Sequence, residues 1–322
     1  DDWKSGIQKN QRKKVIKALK KINSKLIEVP FSRNISSSEI KHKIVKLSSP
    51  INRVSKLKRL MNAKKIVRIL ESHNSLTGLI IENLKINKTN RMMEYDGMWS
   101  SSLTDSATKG LPDNSSLSFS ARISSLNDMM DVTTKPVVFD ADNGGQIEHL
   151  SFLVRSLERS GVSAIIMEDK VGLKKNSLFK NQSGTKQDKP HLFAKKIKKI
   201  CNSRQSQDFM VIARIESFIV GKTINDALAR AKIYINAGAD AILIHSKEKT
   251  PKEIFAFARE FKKKYKNSVP LVAVPSTYPS VTDANLIKHG FKIVIYANHL
   301  LRTSYLSMKK TLISILKNGQ AL

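Results

Sequence analysis

Eight short apolar runs in this sequence end in residues able to do acid, base or anion chemistry. Glu71-Ser72-His73-Asn74 closes the first, Ser100-Ser101-Ser102 the second and Asp140-Ala141-Asp142 the third. The fourth and fifth end in Glu168-Asp169-Lys170 and Arg214-Ile215-Glu216. The last three end in His245-Ser246-Lys247, Pro275-Ser276-Thr277 and Asn298-His299. Asp140, Asp142 and Glu168 are hard oxygen donors with no cysteine beside them, a set suited to Mg²⁺, with Mn²⁺ as a substitute, rather than zinc. Mg²⁺ keeps several waters, so one direct carboxylate with the other acids holding waters is the expected arrangement. Arg214 offers a planar fork for a carboxylate or phosphate, or could close an internal ion pair with Glu216 or Glu168. His245 could donate a proton, touch a phosphoryl oxygen or fill core, and residues 100–103 could turn backbone N–H groups toward an anion. No glycine-rich dinucleotide fingerprint and no P-loop follows any run, which argues against NAD and ATP. The expected substrate is a small phosphorylated or carboxylated molecule held by metal and arginine.

The elements that must position these residues follow from rhythm. The runs span 66–70, 97–100, 136–139, 164–167, 210–213, 241–244, 271–274 and 293–296, and helical stretches separate them. Residues 147–160 place Ile147, Leu150, Val154 and Leu157 on one face, and residues 223–237 align Ile224, Ala227, Leu228 and Ala231. Eight β-α repeats over about 250 residues predict a closed (β/α)₈ TIM-type barrel, whose catalytic face is built from the C-terminal strand ends. Acids, an arginine and a histidine gathered at that one level are the strongest signal in the chain.

Ahead of the barrel, residues 1–52 form a second region. A basic amphipathic helix is expected over residues 3–29, with Ile16, Leu19, Ile22 and Leu26 at helical spacing. A polar stretch at 32–38, a second short helix and the Ser49-Pro50 punctuation follow. The chain begins without methionine, so this segment is expected as a basic helical extension or the tail of a preceding segment, with the catalytic barrel over 53–322. The formal net charge is +30, and residues 1–70 hold 20 lysines and arginines against 4 acids. Elsewhere the excess is lysine scattered over solvated helix faces, and no zinc finger, RNA-binding strand signature or helix-turn-helix pattern accompanies it, which argues against a nucleic-acid partner. No apolar run approaches the roughly 18 residues of a membrane span, and no signal peptide opens the chain. The single cysteine, Cys201, leaves no disulfide framework and fits a reducing cytoplasm.

The stretch Val138-Phe139-Asp140-Ala141-Asp142-Asn143-Gly144-Gly145, then Glu168-Asp169-Lys170 with Lys174-Lys175-Asn176-Ser177, resembles the isocitrate lyase and phosphoenolpyruvate mutase superfamily. So do Ala213-Arg214-Ile215-Glu216, the segment from Ala239 to Lys247, Tyr296-Ala297-Asn298-His299 and Glu71-Ser72-His73-Asn74-Ser75-Leu76. Lyases of this group carry Lys-Arg-Cys-Gly-His in the loop after the fourth strand, whereas this chain reads Lys174-Lys175-Asn176-Ser177-Leu178. The resemblance therefore implies a phosphoenolpyruvate mutase activity, interconverting phosphoenolpyruvate and 3-phosphonopyruvate. Phosphonopyruvate hydrolysis or another 2-oxo-acid cleavage is the alternative.

Carried onto this chain, the resemblance makes Asp140 the direct Mg²⁺ ligand, with Asp142, Glu168 and Asp113 holding waters. Trp99, Ser101, Ser102 and Leu103 would bind the pyruvyl end, and Lys174, Asn176, Ser177, Arg214 and His245 would surround the phosphoryl group and carboxylate. Relatives of this fold pair into dimers and tetramers, a role open to a C-terminal helix over 304–316 bearing Leu306, Met308, Leu312 and Leu316.

Overall fold

A computed structural model describes residues 9–24, 49–88, 91–172, 174, 186–266 and 268–320. The chain divides into two compact units, Asp1–Lys43 and Ile44–Leu322. The described part of the first is the helix Lys9–Lys21, which buries no residue. It carries seven basic side chains and no acid, and Lys20 and Lys21 in its last turn complement the negative end of the helix dipole. The helix ends at Lys21 and residues 22 and 23 form a turn, short of the expected end; residues 3–8 and 25–29, and the short helix expected after residue 38, lie outside the described residues.

The helix Pro50–Ala63 runs across the expected boundary between residues 52 and 53, and the second unit contains the expected (β/α)₈ barrel. Its strands are β1 (Val67–Glu71), β2 (Gly97–Ser100), β3 (Val137–Asp140), β4 (Ala164–Glu168), β5 (Met210–Ile215), β6 (Ala241–Ile244), β7 (Leu271–Ala273) and β8 (Phe291–Tyr296). Each pairs in parallel with its sequence neighbours, and β8 closes on β1. Each expected run lies on one of these strands within two residues at either end. The stretch expected as one helix over 147–160 is a 3₁₀ turn, Ile147–His149, followed by the helix Leu150–Ser160. The helix expected over 223–237 is Ile224–Asn236, capped by the Thr223 side chain accepting from Asp226 N.

Two layers of side chains explain how the barrel aims its chemistry. Val67, Ile69, Trp99, Val138, Ala164, Ile166, Met210, Ile212, Ala241, Leu243, Val272, Ile293 and Ile295 form one buried cluster, the barrel interior. The residues between them, such as Leu70, Met98, Phe139, Ile165, Val211, Ile242 and Val294, pack outward against the helices. Successive strand side chains point to opposite faces. Extending the interior row by two places therefore turns Asp140, Glu168, Arg214 and His245 into the mouth. The same parity sends Asp169 away from it, to the Tyr234 hydroxyl at 2.7 Å and Arg230 Nη1 at 3.1 Å.

The opposite end of the barrel is stoppered. Leu57 and Met61, on the helix Pro50–Ala63, belong to the interior cluster. Arg53 ties that helix down by donating from Nη2 to the carbonyls of Met130 (3.0 Å) and Thr133 (2.6 Å). The helix expected over 304–316 is part of His299–Asn318, a 20-residue helix that buries no residue. No described helix is long and apolar enough to cross a membrane.

Candidate active site

Asp140 stands at the end of β3 and is 3 % exposed. Its Oδ1 accepts from Asp142 N at 3.1 Å and its Oδ2 from Ser102 Oγ at 3.1 Å. Arg122 braces the strand end from outside, donating from Nη1 to the Asp140 carbonyl (2.5 Å) and from Nε to Asp105 Oδ2 (2.8 Å). After β3 the chain turns sharply, with Asp142 at φ 50° and Gly144 at φ 79°. A Cβ on Gly144 would stand 2.7 Å from Met167 Sδ, so both its φ and its packing call for glycine.

Lys174 lies among the acids of this turn. Its Nζ is 2.5 Å from Asp142 Oδ1, 3.0 Å from Asp113 Oδ1 and 4.0 Å from Asp140 Oδ2, and it also bonds the Ser102 hydroxyl. Burial, which would lower the lysine's pKa, is outweighed by Asp140, Asp142, Glu168 and Asp113, so the ammonium is held charged above its ordinary range. The Asp140 carboxyl shifts below its usual value because Lys174, Arg214 and Arg122 outweigh the burial that opposes ionisation. Burial moves Asp113 the other way.

Facing these acids is a charged lattice from β4, β5 and β6. Glu168, on β4, is raised to about 7 by burial, which its cationic neighbours only partly offset. Arg214 Nε donates to Glu216 Oε1 at 2.5 Å, and its Nη2 is 2.9 Å from His245 Nδ1. Lys170 Nζ lies 3.1 Å from Glu168 Oε1 and 3.5 Å from Glu216 Oε2. Burial and the Arg214 charge lower the His245 pKa, which keeps the ring neutral. Arg214 therefore has the internal pairing with Glu168 and Glu216 and a place on the cavity wall at once.

The two groups line one small cavity that is open to solvent. Of the residues expected in the site, Trp99, Ser101, Leu103, Asp113, Asp140, Glu168, Lys174, Arg214 and His245 line it. Ser102 and Asp142 stand behind the wall, joined to it through Asp140 and Lys174. Asn176 and Ser177 lie outside the described residues. Ser101 precedes the helix Ser102–Ala107, so the peptide N–H groups of Ser102 and Leu103 fall in a first turn for which the helix supplies no acceptor. Val274, Ser276, Ala297 and Asn298 complete the lining from β7 and β8. Ser276 and Asn298 are strand-end residues with no role expected from sequence, and the apolar Val274 and Ala297 carry no chemical mark.

The donor set suits a hard divalent cation. Carboxylate oxygens of Asp113, Asp140 and Asp142 already surround one positive charge, the Lys174 ammonium. Among the described residues no three His, Cys, Asp or Glu side chains close into a ready ligand cluster.

A parallel (β/α)₈ barrel with acids, cations and a small cavity at its C-terminal mouth is an enzyme architecture. Comparison with known proteins narrows it. The family described as phosphoenolpyruvate phosphomutase matches residues 57–316. A phosphoenolpyruvate phosphomutase of Tetrahymena pyriformis is 36% identical over 265 residues, covering 82% of this chain and 83% of the relative. A phosphonopyruvate hydrolase of Variovorax sp. (strain Pal2) is 35% identical over 256 residues, covering 78% and 85%. A crystal structure of phosphonopyruvate hydrolase in complex with oxalate and Mg²⁺ superposes with a TM-score of 0.72 at 31% identity, over 83% of this chain and 88% of that one. The chain belongs to the phosphoenolpyruvate phosphomutase family, within the isocitrate lyase and phosphoenolpyruvate mutase superfamily.

Proposed function

We propose that this enzyme is a phosphoenolpyruvate mutase, moving a phosphoryl group between the enol oxygen of phosphoenolpyruvate and C3 of phosphonopyruvate. The observation that favours phosphoryl chemistry over thiol-based carbon–carbon cleavage is the location of the only thiol. Cys201 sits on the helix Pro190–Ser203 with its Sγ donating to the Gly238 carbonyl at 3.2 Å, and it does not line the cavity. No cysteine is available for a thiol-based lyase, while acids and cations face each other across the cavity.

Asp140 would hold Mg²⁺, with Asp113, Asp142 and Glu168 around its waters; the ion would supply positive charge for the pyruvate oxygens. Backbone N–H groups of Ser102 and Leu103 would orient the substrate carboxylate beside Trp99. As the P–O bond breaks, the transferring group becomes metaphosphate-like, and Arg214, His245 and Lys174 would stabilise its spread charge. The enolate left behind would present C3 to form the P–C bond, and no proton need be gained or lost. Asn176 and Ser177 would contact the moving group. Water must be kept out during that interval, because trapping by water gives pyruvate and phosphate.

Assembly as a homodimer or homotetramer is part of the same proposal. The helix His299–Asn318 buries nothing, and Leu306, Met308, Leu312 and Leu316 are exposed along it. Residues before the barrel would be an extension outside the catalytic unit, and the lone cysteine fits a cytoplasmic setting.

³¹P NMR of the enzyme with Mg²⁺ and phosphonopyruvate, wild type beside Asn176→Ala, tests the reading. A phosphate-ester signal at phosphoenolpyruvate, lost or diverted to free phosphate in the variant, is expected. Free phosphate from the wild type would make the enzyme a hydrolase, the activity named for a relative of nearly equal identity.

A further inference from the structure

We infer that Glu216 is the positioning residue of this site, fixing Arg214 and His245 in the orientation that meets a bound dianion. The inference rests on the reading of the cavity as an anion site, and not on which reaction follows. Glu216 is fully buried and is not part of the cavity wall, so it acts through its neighbours. One carboxylate oxygen serves both of them: Oε1 accepts from Arg214 Nε at 2.5 Å and lies 3.0 Å from His245 Nδ1. The other oxygen lies 3.5 Å from Lys170 Nζ. The backbone is held as well, since Glu216 N donates to Asp169 Oδ1 at 2.9 Å.

The physical reason for such a residue is that a guanidinium and an imidazole facing the same cavity need a fixed anion behind them. Without one, Arg214 would turn toward whichever carboxylate is nearest, and Glu168 Oε2 is only 3.4 Å away. With Glu216 occupying the Nε edge, Nη2 reaches Glu168 Oε2 and His245 Nδ1 and Arg214 keeps its place on the cavity wall. His245 is pinned in the same way: its Nδ1 is engaged by Glu216 and Arg214, so Nε2 is the ring nitrogen left for a ligand. Lys170 completes an alternating circuit in which Glu168, Arg214, Glu216 and Lys170 each touch two opposite charges. The cationic neighbours outweigh burial and hold the Glu216 carboxyl well below its usual range, so it stays anionic. A preorganised circuit of this kind does not have to reorganise when a dianion arrives.

Oxalate is the probe, titrated calorimetrically in the presence of Mg²⁺, with ¹⁵N resonances of the His245 ring as a second reading. Glu216→Gln keeps the shape and removes the charge. It is expected to stay folded, to weaken oxalate roughly tenfold or more, the scale on which outer-shell partners act, and to move the His245 resonances. Glu216→Asp, which keeps the charge one methylene short, is expected to recover part of the affinity. Wild-type oxalate affinity with unmoved His245 signals in a folded Glu216→Gln protein would overturn the assignment. Failure of both variants to fold would make Glu216 a structural ion and overturn it too, as would absence of oxalate binding by the wild type. A wild type that binds oxalate but does not convert phosphonopyruvate sinks only the mutase reading.

Discussion

Glu168 and Arg214 are register partners across the β4–β5 seam, and Arg214 Nη2 lies 3.4 Å from Glu168 Oε2. A carboxylate whose pKa is raised by burial thus stands beside a guanidinium that is always charged. The pair joins the acid side of the cavity to its cationic side, so a change on either partner is felt on both.

Arg214→Lys tests the geometry of that cation rather than its charge. Lysine keeps the positive charge but has no Nε edge for Glu216 and no second nitrogen for the cavity. Turnover measured by ³¹P NMR is expected to fall roughly 100-fold or more, as for loss of a preorganised transition-state donor. Near-normal turnover would show that a point charge suffices there.

Asp140→Asn tests the metal assignment without reference to activity. The amide keeps the size of the side chain and removes the negative charge. Mn²⁺ binding followed by electron paramagnetic resonance is expected to weaken by about 100-fold, the upper end of the effect seen when groups supporting a metal are lost. Undiminished Mn²⁺ binding would move the ion away from β3.

His245 gives a pH signature whose sign follows from its lowered pKa. Above about pH 6.5 the imidazole is neutral in folded and unfolded chains alike and contributes no pH dependence. Below that, the unfolded chain takes up a proton that the folded site resists, so stability is lost as the pH falls toward the folded-state pKa. The slope is at most about 1.4 kcal/mol per pH unit from this group. Urea denaturation from pH 7.5 to pH 5 should show a shallower acid loss in His245→Gln than in the wild type, and identical slopes would contradict the shift.

The barrel was legible because continuous apolar runs and strand-end chemistry reinforce one another. Each run buried on both faces reads as a continuous apolar block, and the residue just past it reads as functional. Asp140, Glu168, Arg214 and His245 were found that way, and the interior cluster explains why. Lys170 and Glu216 were visible as residues but not as a circuit, because a charge that orients another looks in sequence like a charge that binds. The antiparallel pair Ile86–Lys88 and Arg91–Met93 carries no sequence signal: Ile86–Lys88 is exposed throughout and leaves no apolar period to read. Val274 and Ala297 were missed because an apolar lining residue has the same residue type as core.

Tyr234→Phe isolates the layer behind the site. The hydroxyl donates to Asp169 Oδ2 at 2.7 Å, and burial already raises that carboxyl to about 6. Removing the donor leaves a buried acceptor short of a partner, a loss of about 1–3 kcal/mol. Equilibrium urea denaturation at pH 7.5 measures it, and no change would mean that Arg230 and Gln187 suffice.

The exposed apolar residues of His299–Asn318 carry the assembly proposal. Leu306→Glu combined with Leu312→Glu should lower the sedimenting mass of the protein while leaving the barrel's circular dichroism unchanged. An unaltered mass would place the contact between subunits elsewhere.

The interior cluster, with Leu57 and Met61 of the helix Pro50–Ala63 at its base, fills the barrel and leaves the mouth as its opening. Nothing admitted at the mouth can drain through the far end, and two fragments of one substrate share the same exit. If that exit is shut while they are apart, recombination is the only outcome open to them. For the proposed intramolecular transfer, the filled floor leaves the mouth as the place where water has to be kept out.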